Sequence, residues 1–242
     1  MIVAVIGSGG REHAIVWKLQ QSKMIEKVYV LPGNAGTAVN VEIDPNDFSA
    51  IRAFCQDKGV ELIFVGPEAP LAAGIVDYFA DTPVMVFGPE QKAASLESSK
   101  IWSKRFMQKY GVATAAFWEF SGEQMEAAQQ KIEQLAGNCV LKYDGLAAGK
   151  GVYVCSQIEE AQSALQELLT NYGAAAEFLI EERLQGAEIS ILAFTDGKDY
   201  QLLQPSVDHK QLLAGDKGPN TGKKRPFRPY WGLCHLPKVA CD

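Results

Sequence analysis

Four short apolar runs, each closed by a glycine- or proline-bearing turn, constrain what residues 1–90 can fold into. Met1–Ile6 leads into Gly7-Ser8-Gly9-Gly10, and Lys27–Leu31 into Pro32-Gly33-Asn34. Leu62–Val65 ends at Gly66-Pro67, and Val84–Phe87 at Gly88-Pro89. Between them lie helical patterns over His13–Gln21, Phe48–Lys58 and Leu71–Phe79. Continuous apolar strands interleaved with helices indicate a doubly wound parallel sheet with both faces covered. Such sheets bind ligands beyond the carboxyl ends of their strands. The turns Gly7–Gly10, Pro32–Asn34 and Gly66–Glu68 are therefore expected to face one crevice.

The pattern then changes. Residues 91–110 read as one helix carrying Lys100, Lys104 and Lys109, and Ala113–Phe120 as a connection. Glu123–Leu135 reads as a helix. Two β-prone runs follow, flanking the stretch Lys142-Tyr143-Asp144-Gly145-Leu146-Ala147-Ala148-Gly149-Lys150-Gly151. Glycines at 145, 149 and 151 free the backbone to turn its amides toward one point, and Lys142 and Lys150 can neutralise an anion held there. It reads as a hairpin lid over nucleotide phosphates. It is not a Walker loop, because three residues separate Gly145 from Gly149 and no hydroxyl residue follows Lys150. An ordinary glycine-bearing hairpin turn fits the same residues. Ser156 with Glu159 matches a capping box for a helix over Ile158–Leu169. Phe178–Glu182, Glu188–Phe194 and Tyr200–Pro205 read as strands, so this second unit is α+β with a mostly antiparallel sheet. Residues 223–242 are basic and proline-bearing, show no period, and offer nothing that could pack a core.

The composition narrows the class. The chain has 242 residues, 47% hydrophobic and 21% charged, as in an ordinary globular protein of about two to two and a half domains. A net charge of −6 argues against non-specific nucleic-acid binding. No apolar run approaches the ~20 residues needed to span a bilayer, and the N-terminus lacks a basic signal-peptide region. Five cysteines without metal or disulfide spacing suit the cytoplasm.

Several positions can touch a ligand. Gly9 and Gly10 open a helix after a strand, where phosphate can bind; a ligand-free tight turn is the plainer reading. Glu12 stands where a dinucleotide fingerprint needs glycine, and the second strand ends at Leu31-Pro32 instead of an acid, so a nicotinamide role is disfavoured. Glu68 could accept from ribose hydroxyls or simply stabilise the next helix. Extended backbone near Glu181 and Leu184 can pair with an adenine edge, and Glu188 could hold a ribose; a solvated acidic hairpin is the alternative. Asp208, His209 and Lys210, with the polar loop Gly215–Gly222, could orient an anionic or amine-bearing substrate. His209 has no partner carboxylate at fixed spacing and is read as a binding residue only.

Taken together, these residues resemble the ATP-grasp ligases, and within them the glycinamide ribonucleotide synthetase (phosphoribosylamine–glycine ligase) family. The resemblance runs from Met1 to about Gly222. It is carried in order by Gly7–Ala14, Pro32–Asn34, Val65–Glu68, Gly145–Val152, Asp208–Lys210 and Gly218–Gly222. It implies an α/β fold: a doubly wound substrate-binding unit over 1–119, an ATP-grasp small subdomain over 120–194, and an incomplete second ATP-grasp lobe over 195–242, aberrant from about 223. It implies that ATP phosphorylates glycine and that the amine of 5-phosphoribosylamine attacks the glycyl phosphate, in purine biosynthesis. By the same resemblance Lys104 and Lys142 are the catalytic cations. Gly145, Gly149, Lys150, Gly151, Glu181, Leu184 and Glu188 hold ATP. Gly9, Gly10, Asn34, Glu68, Asp208, Lys210, Asn220 and Thr221 hold substrate.

The chain departs from the family after Gly222, where a glycine-rich segment and the Glu and Asn ligands for Mg²⁺ or Mn²⁺ are expected and Lys223-Lys-Arg-Pro-Phe-Arg228 stands instead. Val207 and Gln211 replace the usual Gln and Arg. A truncated chain, inactive alone, is the expectation. A non-catalytic nucleotide- or phosphoribosyl-binding module, a different ATP-grasp carboxylate–amine ligase and a Rossmann oxidoreductase are the rival readings.

Overall fold

The computed structural model describes residues 1–37, 39–147, 149–186, 188–207, 211–213, 217–220 and 228–229. Its first half is a four-stranded sheet ordered β2-β1-β3-β4, built from β1 (Ile2–Gly7), β2 (Lys27–Pro32), β3 (Leu62–Val65) and β4 (Met85–Phe87), with every pairing parallel. The alternation along β1 explains its unbroken apolar run. Val3 and Val5 pack with Val28 and Val30 against Val16 of α1 (Gly10–Leu19). Ala4 and Ile6 face the opposite side, with Ile51 and Cys55 of α2 (Phe48–Lys58) and with Ile75 and Phe79. Each such aliphatic side chain removed from water contributes about 1.5–3 kcal/mol. The doubly wound sheet is therefore as expected. The helix after β3 is not one piece: α3 (Glu68–Ala72) and α4 (Ile75–Tyr78) are divided at Gly74, whose φ of +90° no helix accommodates.

The single helix expected over 91–110 is also two, α5 (Gln91–Ser98) and α6 (Lys100–Lys109). Ser99 breaks it with extended backbone (φ −129°, ψ 115°), and its hydroxyl accepts from the Trp102 N–H at 3.0 Å to cap α6. The expected connection through Phe120 contains a strand, β5 (Phe117–Ser121). It forms the edge of a second sheet, ordered β5-β8-β6-β7 and wholly antiparallel, with β6 (Cys139–Tyr143), β7 (Val152–Val154) and β8 (Glu177–Glu182). Helices α7 (Met125–Gln134) and α8 (Ile158–Tyr172) cover one face, burying Ala128, Ile132, Leu165 and Leu168 on Cys139, Leu141, Phe178 and Ile180.

At the start of α8, Glu160 and not Glu159 reaches back, accepting from the Ser156 N–H at 2.9 Å, while the N-cap residue Gln157 makes no side-chain cap bond. Beyond β8 the expected strand over 188–194 narrows to β9 (Ala193–Thr195), paired with β10 (Tyr200–Leu202), while Ser190 forms only an isolated bridge to Ser206. Short backbone pairings join Ser206–Val207 to Arg228–Pro229 and Gln211–Leu213 to Lys217–Asn220. The rest of the 223–242 segment lies outside the described residues.

Candidate functional site

The three strand-end turns meet as the parallel topology requires. The Gly33 N–H donates to the Gly7 carbonyl at 3.1 Å, and the Asn34 side-chain amide donates to the Ser8 and Gly9 carbonyls at 3.0 and 3.3 Å. Asn34 Oδ1 in turn accepts from the Gly36 N–H at 2.8 Å. Across the opening, Arg11 donates to Glu68 Oε1 at 3.0 Å. Glu12, which the sequence marked only as a broken fingerprint, sits beneath the turn with its Oε2 accepting from the Gly9 N–H at 2.6 Å. The signal was present: an acid three residues after an N-cap position is half of a capping box. Gly10 begins α1 directly.

The second cluster lies on the sheet face turned away from α7 and α8. Alternation sends Cys139, Leu141, Phe178 and Ile180 toward those helices, which leaves Lys142 and Glu181 on the other face, in diagonal register across β6 and β8. Glu181, 3% exposed, accepts on Oε2 from Lys142 Nζ at 2.8 Å and lies 3.2 Å from Lys104 Nζ of α6. Lys104, itself 6% exposed, also donates to Thr114 Oγ1 at 2.7 Å and to the Ala115 carbonyl at 3.3 Å. Two ammonium groups thus share one carboxylate oxygen, leaving an excess of positive charge. Among the described residues Glu181 Oε1 has no hydrogen-bond partner. The sequence reading assigned Glu181 to adenosine and missed its ion pairs, because they depend on sheet register and not on local spacing.

Lys100 does different work. Its Nζ donates to the Gly145 carbonyl at 2.9 Å, while burial holds the ammonium below its ordinary pKa against the pull of Asp144. Asp144 accepts from the Ile101 N–H and the Ser99 hydroxyl, both at 3.0 Å, tying the start of the glycine loop to the N-terminus of α6. The loop itself needs its glycines. Gly149 has φ +80°, and a Cβ on Gly151 would lie 2.9 Å from the Ala147 Cβ and 3.1 Å from that of Tyr143. Lys150 is exposed at the tip. Lys142, half-buried, and Lys150, exposed, bracket this glycine-bearing loop, a pairing of cations and flexible backbone suited to an anion.

Of the remaining positions, Leu184 is 69% exposed and Glu188 is exposed, both on the segment after β8. Asn220 ends a short strand with its backbone opposite Gln211. Asp208, His209, Lys210 and Thr221 lie outside the described residues. Among the described residues no group of three or more His, Cys, Asp or Glu side chains is placed to hold a metal ion, and no helix is long and apolar enough to cross a membrane.

Comparison with known proteins agrees with this arrangement. Residues 1–97 match the family model for the phosphoribosylglycinamide synthetase N domain, and residues 98–225 that for the phosphoribosylglycinamide synthetase ATP-grasp (A) domain. The chain is 46% identical to the phosphoribosylamine–glycine ligase of Nostoc sp. over 95% of its own length and 55% of that protein's. It is likewise 46% identical to the human trifunctional purine biosynthetic protein adenosine-3, over 99% of this chain and 24% of that one. The crystal structure of phosphoribosylamine–glycine ligase from Thermotoga maritima superposes with a TM-score of 0.72 at 34% identity, covering 91% of this chain and 54% of that one. The chain therefore spans about half the length of the single-function ligases it matches. With both family models matched in order along residues 1–225, the chain belongs to the phosphoribosylglycinamide synthetase family.

Proposed function

We propose that the chain serves the ATP-dependent ligation of glycine to 5-phosphoribosylamine, giving glycinamide ribonucleotide, ADP and phosphate through glycyl phosphate. The observation that carries this reading is the convergence of Lys104 and Lys142 on Glu181, beside a loop whose glycines cannot carry side chains. Phosphoryl transfer asks for positioned positive charge more than for a nucleophilic side chain, and that is what the site offers. Lys142 and Lys104 would meet the phosphates, and Gly145, Gly149, Lys150 and Gly151 would close over them and exclude water. Glu181, Leu184 and Glu188 would line the nucleoside. The crevice of Gly9, Gly10, Asn34 and Glu68 would take the phosphoribosyl substrate, with Asp208, Lys210, Asn220 and Thr221 supplied from the following segment.

A Mg²⁺ or Mn²⁺ ion would neutralise charge on the phosphates in this chemistry. The described residues offer no donor set that fits one, so no step is assigned to it. We place the reaction in the cytoplasm, with ATP, glycine and phosphoribosylamine as the partners and neither nucleic acid nor membrane involved. Free Cys55, Cys139 and Cys155 suit that compartment.

The test is a chimera with residues 1–222 of this chain ahead of the remaining length of a full-length family member. ADP release should require both glycine and phosphoribosylamine, and Lys142→Ala should lower kcat/KM by about 100-fold or more. Release that another acid supports as well as glycine, or that ignores Lys142, contradicts the reading.

A further inference from the structure

We propose that Tyr172, stacked on Tyr143, is a positioning residue that gives the 144–151 loop a rigid floor from which to close. The inference rests on the reading that this loop covers a nucleotide, and it names what holds the loop in place before one arrives. Alternation sends Lys142 to one face of the second sheet and Tyr143 to the other, among the side chains packed by α8. Along α8 the buried stripe of Ala161, Leu165 and Leu168 ends one turn later at Tyr172, the last helical residue before Gly173 at φ +105°. The rings of Tyr172 and Tyr143 lie nearly parallel there, with centroids 3.9 Å apart and planes inclined by 8°. An aliphatic residue would close the stripe equally well. Two stacked rings also present a flat, stiff surface.

What rests on that surface is glycine. A Cβ on Gly145, whose φ is +151°, would fall 2.7 Å from Tyr143 Cε1 and 3.1 Å from its hydroxyl. One on Gly151 would lie 3.1 Å from Tyr143 Cβ and 3.5 Å from the Tyr172 hydroxyl. Both roots of the loop therefore sit against the tyrosines. The Tyr143 N–H donates to the Gly151 carbonyl at 2.9 Å, and the Asp144 N–H to the Glu177 carbonyl at 2.9 Å, so the backbone is fastened at the same place. Three glycines open many other conformations to the loop, and each lowers the share of chains ready to receive a ligand. Contact with the ring pair at both roots shifts that balance toward the docked arrangement, with Lys150 at the tip and Lys142 on the sheet left to meet an anion.

The test is limited trypsin digestion of the 242-residue chain, comparing cleavage after Lys150 in the loop with cleavage after Lys109 at the exposed end of α6. Where reclosing is fast, ligand-free cleavage follows the population of the open loop. Tyr172→Leu keeps the apolar bulk and loses the ring. It should speed cleavage after Lys150 by about 5- to 10-fold, leave cleavage after Lys109 unchanged, and weaken ATP binding by the same factor. Tyr172→Phe keeps the stack and should match wild type in all three. Equal acceleration at both lysines overturns the proposal, because it reports a general loosening of the fold. So does a Tyr172→Leu chain in which Lys150 stays as protected as before, or a Tyr172→Phe chain that behaves like Tyr172→Leu. Should Tyr172→Leu fail to fold, Tyr143→Leu breaks the same stack from β6 and is judged by the same rates. A folded wild-type chain that binds no ATP removes the nucleotide reading of the loop, while the ligand-free rates continue to judge the role of Tyr172.

Discussion

Glu181 shows how one residue sets the charge of the proposed nucleotide site. Removing its carboxylate leaves Lys104 buried beside Thr114 without the carboxylate that pairs with it among the described residues. Glu181→Ala should therefore cost about 3–5 kcal/mol in urea unfolding, and adding Lys104→Met should recover most of that loss. An unchanged midpoint would mean that the ion pair contributes nothing. Lys142 was legible in the sequence because charge beside glycines in a β-prone stretch is unusual, whereas Lys104, in a helical stretch, was singled out only through the family resemblance. Glu181 as their holder was not, since it meets Lys142 only through the β6–β8 register. Burial raises the thiol pKa values of Cys55, Cys139 and Cys155 from 9.0 to about 11. The unfolded chain loses these protons at lower pH than the folded one does. Stability should accordingly fall as pH rises above about 9, and site-resolved alkylation at pH 8 should leave all three unmodified in the native chain. Modification of any of them at the rate of a free thiol would contradict the burial.

At the scale of elements, the loop over the proposed phosphate site is fastened by the break between α5 and α6. Ser99 ends one helix, caps the next and donates to Asp144 at the root of the hairpin. Ser99→Ala should lower stability by about 1 kcal/mol in thermal unfolding and should weaken ATP binding through the loosened loop. A stability loss with unchanged ATP affinity would uncouple the cap from the site. The sequence could not show this break, because Gln91–Lys109 is helix-prone throughout and contains neither glycine nor proline. Where a turn residue marks an end, as Gly59 does at φ +63° after α2, the boundary was readable. β5 was hidden for the opposite reason. Phe117-Trp118-Glu119-Phe120 lacks clean alternation, and its strand character comes from pairing with β8.

At the scale of the molecule, we propose that the division near residues 119 and 194 follows the two sheets, each with its own core. The parallel sheet was legible because burial on both faces writes itself as unbroken apolar runs. The hairpin β9–β10 presents Phe194, Tyr200 and Leu202, each more than two-fifths exposed, and Phe194 reaches the ring of Phe87 on β4 at 5.7 Å. An apolar surface of this kind favours association. Tyr200→Lys with Leu202→Lys should reduce self-association in analytical ultracentrifugation without lowering the thermal midpoint; unchanged association would show that the hairpin is not the contact.

We propose that Lys142, drawn with Lys104 onto Glu181, grips a nucleotide triphosphate. Calorimetric titration of the chain with ATP addresses it most directly. Saturable binding is expected, weakened about 100-fold in Lys142→Ala while Lys109→Ala, on the exposed end of α6, binds as wild type does. ATP that fails to bind the folded chain, or that binds Lys142→Ala equally well, contradicts the account.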